Sequence, residues 1–300
     1  MPRPSSGFID LHTHTTASDG SYAPAELLQA ASARELDVLA VTDHDTFDGY
    51  EAMVSGANDT LSQGFPQIVR GIELNSTLEL DGGSRSVHVL GYWPGNEPTA
   101  TFVEWIRSQQ DERRDRNQRL IAALQSRGVD IDLKEVEAIG RSLTGRPHFA
   151  RVLVRKGYAK NGDDAFRRYL GETAPTYVER QSPTAVEVVG KIREGGGAPV
   201  IAHPIRLNLP DRDSEWRILS GLKKAGLFGL EVQHSEHSAE LQDHYLRLAE
   251  ELHLLPTGGS DFHGAIKPDI QLGSGRDGNV RVPTVVWEEF RDAFAATQVT

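Results

Sequence analysis

Six short apolar runs in this 300-residue chain end in histidine or carboxylate: His12-Thr13-His14, Asp43-His44-Asp45, Ile72-Glu73, Val87-His88, Ala202-His203-Pro204 and Ser260-Asp261-Phe262-His263. Unpaired polar groups are costly to bury, so six titratable clusters closing six apolar segments point to a shared ligand and not to coincidence. Residues two apart share a face of a strand, so His12 and His14 are placed to grip one cation together, and Asp261 with His263 repeats the arrangement. Imidazole and carboxylate without thiolate suit Zn(II), Mn(II) or Fe(II), and several carboxylates allow one side chain to bridge two ions. The pattern predicts a multinuclear metal site at one rim of a barrel.

The order of elements predicts which barrel. Apolar β-rich runs recur at residues 8–11, 38–41, 67–69, 87–90, 199–202, 228–232 and 254–256, with helical patterns between most of them, such as 24–36, 183–193 and 238–252. Such alternation reads as an α/β fold of parallel strands joined by crossover helices. Seven strands with polar C-terminal ends predict a distorted TIM-like (β/α)7 barrel with its active site on the top face. An open doubly wound sheet would instead gather its ligands at one switch point. The alternation breaks between residues 97 and 182, where 99–126 reads as one long helix and short helical segments follow near 132–138, 147–156 and 163–170. The domain reading is a barrel of residues 1–96 and 183–300, with 97–182 as a helical insert that caps the substrate. Gly195-Gly196-Gly197 is a helix stop before a strand and not a phosphate loop.

Charge sharpens the role of the insert. The chain carries a net −11, yet residues 107–180 hold 16 Lys/Arg against 11 Asp/Glu, half the cations in a quarter of the sequence. Asp111-Glu112-Arg113-Arg114-Asp115-Arg116 alternates sign as exposed helices do, while a basic cap facing a phosphorylated substrate explains the local excess. Both readings hold if they occupy opposite helix faces. The absence of cysteine excludes disulfides and thiolate ligation, and residues 1–8, MPRPSSGF, contain no apolar leader core. No stretch approaches the length of a membrane span, so a cytoplasmic address without membrane or stable protein partners is expected.

Several blocks carry a family resemblance: Asp10-Leu11-His12-Thr13-His14 with Ser18-Asp19-Gly20, Thr42-Asp43-His44-Asp45, Gly71-Ile72-Glu73, Val87-His88-Val89-Leu90-Gly91-Tyr92, Ala202-His203-Pro204 and Gly259-Ser260-Asp261-Phe262-His263-Gly264. With these the chain resembles the polymerase-and-histidinol-phosphatase (PHP) superfamily of metal-dependent phosphoesterases. Gly145-Arg146-Pro147-His148-Phe149-Ala150-Arg151 and Tyr177-Val178 look like the insert of stand-alone members that cleave nucleoside 3′,5′-bisphosphates or trim 5′-phosphorylated RNA.

The resemblance implies two to three divalent ions, Mn, Fe or Zn, in three sites. His12, His14, Glu73 and Asp261 hold the first, Glu73 bridges to a second held by His88 and His203, and Asp19, His44 and His263 hold the third, where some members use histidine in place of Asp19. It implies phosphoester hydrolysis by a metal-bridging hydroxide, with the ions stabilising the phosphoryl oxygens and the departing oxygen. Asp43 and Asp45 flank His44; one orients it and the other handles a proton, Asp45 being the candidate catalytic residue. Arg146, His148, Arg206, His237 and Lys267 are the candidate substrate contacts. Relatives that bind 5′-phosphates often carry lysine where this chain has Ala174; that departure counts against a bisphosphate, and Lys267 and the insert arginines are the cations able to compensate for it. Competing readings are a phosphatase of another small metabolite such as histidinol phosphate, a non-catalytic metal-stabilised PHP module, and an amidohydrolase. The module reading expects missing ligands, and all nine positions are filled.

Overall fold

The computed structural model describes residues 7–56, 64–80, 83–140, 144–179 and 182–298. Positions 1–6 of the N-terminal segment read above, and Arg141 and Arg180 of the basic stretch, lie outside the described residues. Each of the seven apolar runs forms a strand: β1 (Phe8–Asp10), β2 (Val38–Val41), β3 (Gln67–Leu80), β4 (Gly83–Tyr92), β5 (Ala198–Ile201), β6 (Gly229–Gln233) and β7 (Leu255–Gly258). A small ribbon of β8 (Ile270–Gln271) and β9 (Gly275–Arg276) precedes β10 (Val282–Pro283), an eighth strand that pairs antiparallel with β1. The sheet order is β10-β1-β2-β3-β4-β5-β6-β7. Its two ends meet at the rim: Leu11 N–H donates to Gly258 O (3.2 Å), Asp261 N–H donates to His12 O (2.9 Å), and Thr13 bridges in parallel to Phe262. These contacts join the extensions of β1 and β7, making a nearly closed, mostly parallel barrel.

One strand reverses the expected direction. β4 is antiparallel to both β3 and β5, and β3 with β4 forms a long hairpin paired from Gly71↔Tyr92 out to Leu80↔Gly83. The sequence pattern truncated both strands because their outer halves form a ribbon in which Leu74 and Ser76 are buried while Asn75, Thr77 and Glu79 face outward or only partly inward. Because β4 enters from the rim, His88 reaches the top of the barrel from mid-strand, opposite Asn75, and not from a strand C-terminus.

Alternating side chains supply two layers. On β2, Leu39 and Val41 pack with Leu27, Leu28 and Ala31 of α1 (Pro24–Ala33) and with Met53 of α2 (Asp48–Gly56). Val38 and Ala40 join Ile9, Leu11, Val69, Leu90, Tyr92, Val200 and Phe228, contributed from around the barrel. Trp287, Phe290 and Phe294 complete that cluster, so the last helix closes the end of the barrel away from the rim. The long helix of the insert, α3 (Ala100–Gln125), starts after Thr99, whose side chain accepts from Phe102 N. Its first turns place Phe102 and Ile106 in the barrel's outer core, whereas Leu120, Ile121 and Leu124 join a separate core with α4 (Leu133–Gly140), α5 (Arg146–Arg155), α6 (Gly162–Ala165) and the π-helical turn Phe166–Leu170. Three outer helices, α7 (Ala185–Glu194), α8 (Arg212–Ala225) and α9 (Ala239–Glu251), lead in turn into β5, β6 and β7, and α10 (Thr284–Thr297) follows β10. Among the described residues no helix is long and apolar enough to cross a membrane.

Candidate metal centre

Buried carboxylates set the rim loops before any ligand is considered. Asp10, at the end of β1, accepts from Ser260 N (2.9 Å), Ser260 Oγ (2.5 Å), Gly273 N (2.8 Å) and His12 N (3.2 Å). Burial raises its pKa while those four donors oppose the rise, and the result fixes the His12-Thr13-His14 segment against Ser260-Asp261-Phe262-His263. A side chain at Gly259 would put Cβ 2.3 Å from His12 N, so glycine is what lets the two segments touch. Asp43 accepts from Thr15 N (2.8 Å), Thr15 Oγ1 (2.7 Å) and Ser18 Oγ (2.6 Å), and thereby shapes the loop that carries Asp19. It therefore serves that loop and is not bonded to His44.

The nine side chains His12, His14, Asp19, His44, Glu73, His88, His203, Asp261 and His263 converge on the rim. They form four overlapping groups: His14, Asp19, His44 and His263; His12, His14 and Asp261; His12, Glu73 and His203; and His44, Glu73 and His88. Within each group the donor atoms lie no more than 4.8 Å apart. Glu73 sits at the middle. Its Oε2 is 3.4 Å from His12 Nε2, 3.2 Å from His14 Nε2 and 3.2 Å from His44 Nδ1, while Oε1 is 2.7 Å from His88 Nδ1 and 2.9 Å from His203 Nε2. Burial alone would raise its pKa, yet the charges of His44, His88 and His12 hold it well below the usual carboxylate range. Burial likewise pushes the His44 and His203 imidazoles down, to about 4 and about 3, which leaves them neutral and able to donate a lone pair. His203 (φ 28°) and Asp261 (φ 57°) occupy the left-handed region, an unfavourable backbone for non-glycine residues that the surrounding bonds enforce.

These residues fit divalent metal. His12 Nε2, His14 Nε2 and His44 Nδ1 are buried without a hydrogen-bond partner, and each faces a Glu73 oxygen at 3.2–3.4 Å without bonding to it. The set is all nitrogen and oxygen, as hard to borderline cations require.

Two further groups act on the ligands from behind: Glu231, which was not in the sequence-derived set, and a cluster on Asp261 that includes Lys267 and Arg206, read from sequence as substrate contacts. Glu231, 1% exposed, accepts from His12 Nδ1 (2.8 Å) and from His203 N (2.6 Å). A carboxylate only accepts, so Nδ1 carries a proton and Nε2 is the atom turned to the cluster; against burial, the charges of Glu231, Glu73 and Asp261 hold the His12 pKa well above its usual value, so an ion binding at Nε2 displaces a proton. Burial would raise the pKa of Glu231, but His12 and His234 bring it to about 2. Its signal was legible: Leu230 and Val232 face outward into the α9 layer, which turns the charged residue between them into the barrel. Exchanging it in Glu231→Gln offers His12 an amide donor and should lower metal affinity about 10- to 100-fold, read by calorimetric titration of the metal-stripped protein. An unchanged isotherm would remove Glu231 from the assembly. The second group surrounds Asp261: its Oδ1 faces His12, His14 and His263 (3.4–3.6 Å), while Oδ2 meets Lys267 Nζ (2.6 Å), Arg206 Nη2 (3.3 Å) and His234 Nε2 (3.5 Å).

The predicted substrate contacts separate in space. A cavity of about 550 Å³ opens from Asp19, His44 and His88 towards the insert, where Arg113, Arg116, Arg146 and His148 line it beside Tyr177. Arg113 and Arg116 belong to the sign-alternating stretch, whose two faces differ: Asp111, Glu112, Arg114 and Asp115 are exposed, whereas Arg113 and Arg116 turn to the cavity and Arg116 is 5% exposed. Arg206 lines a different space, about 130 Å³, with His88 and His203, and is paired to Glu236 (2.9 and 2.7 Å). His237 is fully buried, its Nδ1 donating to Val232 O (2.7 Å), and it lines neither space. Lys267 is engaged with Asp261. Ala174 is buried in a turn, its N–H donating to Gly171 O.

A rim of imidazoles and carboxylates around one glutamate, on a barrel with this strand order, defines a metal-dependent hydrolase of PHP type. The PHP domain family profile matches residues 10–173, and the chain belongs to that family. It is 31% identical over 287 residues to a 5′-3′ exoribonuclease of Haemophilus influenzae, covering 94% of this chain and 98% of that one. It is 32% identical over 272 residues to a 3′,5′-nucleoside bisphosphate phosphatase of Chromobacterium violaceum, covering 90% and 92%. Among solved structures it resembles a protein described as a metal-dependent phosphoesterase from Bifidobacterium adolescentis, with TM-score 0.78, 28% identity and 96% of each chain covered. A structure described as an amidohydrolase from Chromobacterium violaceum, with bound sulfate and no metal, gives TM-score 0.77 and 28% identity over 95% of this chain and 96% of that one.

Proposed function

We propose that the protein hydrolyses a phosphate ester of a nucleoside 3′,5′-bisphosphate or of a short 5′-phosphorylated RNA. One observation carries this reading: nine potential ligands converge beside a cavity of about 550 Å³ whose far side presents three arginines of the insert. His12, His14, Asp19, His44, Glu73, His88, His203, Asp261 and His263 would hold two to three ions of Mn, Fe or Zn. When bound, such ions activate water and stabilise charge on the phosphoryl oxygens. The chain itself orients the ligands through Glu231 and Asp10 and holds Asp261 through Lys267 and Arg206. Residues 97–182 act as the substrate cap. Arg113, Arg116 and Arg146 supply there the cation that Ala174 lacks, since charge-assisted contacts suit a second phosphate. We place the reaction in the cytoplasm.

Phosphate release by Mn-loaded protein should be greatest on nucleoside 3′,5′-bisphosphates or 5′-phosphorylated oligonucleotides in a screen that includes simple monophosphates. Preference for a small monophosphate such as histidinol phosphate would overturn the nucleotide assignment, and no release from any ester would overturn the phosphoesterase reading.

A further inference from the structure

Asp45 sits next to His44 and is 2% exposed, yet it does not line the large cavity. Its backbone lies in the left-handed region (φ 51°), a conformation Asp tolerates where local bonds hold it. Those bonds are complete on every polar atom. Asp45 N–H donates to Glu73 O (2.9 Å), and Asp45 O accepts from Gln110 Nε2 (2.8 Å). Oδ1 accepts from Asn75 N (3.2 Å), and Oδ2 accepts from Asn75 Nδ2 (3.1 Å) and is paired with Arg113. Gln110 and Arg113 are three residues apart and therefore share one face of α3. Asn75 lies opposite His88 in the β3–β4 ladder.

A proton-handling group must reach the reacting atoms, and it is Asn75 and Arg113, the partners of the Asp45 carboxylate, that line the cavity while Asp45 does not. We propose that Asp45 is a positioning residue that latches the middle of α3 to the rim, fixing the cap's arginines over the candidate metal ligands. α3 is anchored in the barrel core at Phe102 and Ile106 and in the insert core from Leu120 onward, and the latch grips the span between. Arg113 is shared between latch and cavity wall, so Asp45 sets where that cation points when an anionic substrate enters. The same residue thus ties substrate size to the metal rim. It acts on large, doubly charged substrates and leaves a small ester untouched. The inference rests on the phosphoesterase reading for its kinetic arm only.

The test is Asp45→Asn, which keeps the shape and the bond from Asn75 N but removes the charge facing Arg113. Hydrogen–deuterium exchange across residues 107–117 should rise relative to the parent, with metal content by plasma mass spectrometry unchanged. KM for a nucleoside 3′,5′-bisphosphate should rise about tenfold, as loss of one charge-assisted contact implies, while kcat on a small chromogenic phosphomonoester and its pH profile stay within about twofold. A fall in kcat on both substrates with a displaced pH profile would make Asp45 a proton-handling residue and overturn the latch. Unaltered exchange with unaltered KM would overturn it as well. If the parent protein releases no phosphate from any ester, the phosphoesterase reading fails, and the exchange measurement still decides the latch.

Discussion

Glu73→Gln should lower turnover by roughly two to three orders of magnitude and empty part of the metal centre at once. The carboxylate is fully enclosed and faces five imidazoles, three through Oε2 at 3.2–3.4 Å and two through Oε1 at 2.7–2.9 Å. It is also common to two of the four ligand groupings, so one neutralised charge is lost from both. Removing one partner from a buried charged assembly costs about 3–5 kcal/mol. Expressed as a rate that is roughly 10²- to 10³-fold or more. Replacing a single histidine leaves Glu73 to compensate and should cost less. Metal stoichiometry by plasma mass spectrometry together with phosphate release on the full set of single ligand variants would check this. Equal, mild losses across the set would contradict a bridging role for Glu73.

The centre was legible because strand periodicity and rim position are local properties. Apolar runs closed by His12, His44, His203 and Asp261 announce strand ends, and parallel strands bring their ends to one rim, where Glu73 joins them from the middle of the longer β3. What stayed hidden depended on pairing between distant segments. β4 runs antiparallel because the ribbon it forms with β3 rises past the rim, and nothing in the apolar run at residues 87–90 records its direction. β10 is two residues long and takes its meaning only from its partner β1. Glu231 had a local signal, one carboxylate inside a buried strand, but its two acceptor roles arise from residues 28 and 219 positions away. The role of Asp45 was equally non-local: beside His44 it reads as catalytic, and only the approach of Gln110 and Arg113 reveals what its atoms are bonded to.

Specificity should reside with Arg146 and not with Arg206. Arg146 lines the large cavity, its guanidinium 5.6 Å from the centre of the Tyr177 ring, and among the described residues it meets no carboxylate. Its Nη1 donates to Leu170 O (3.4 Å), a neutral acceptor that leaves the charge unpaired for an incoming anion. Arg206 is held by Glu236 and Asp261 and lines the smaller space beside His88 and His203, where its loss would free a metal-facing carboxylate. Arg146→Ala should raise KM for a bisphosphate about ten- to a hundredfold, the effect of about 1.5–3 kcal/mol for one charge-assisted contact, with hydrolysis of a small chromogenic monoester nearly unchanged. Arg206→Ala should instead lower turnover of both substrates, because Asp261 then keeps only Lys267 and His234 on Oδ2. Steady-state kinetics on the two substrates separate remote binding from chemistry at the rim. If Arg146→Ala processes bisphosphate as well as the parent does, the cavity does not hold a second phosphate, and the nucleotide-specific reading gives way to a general small-molecule phosphatase.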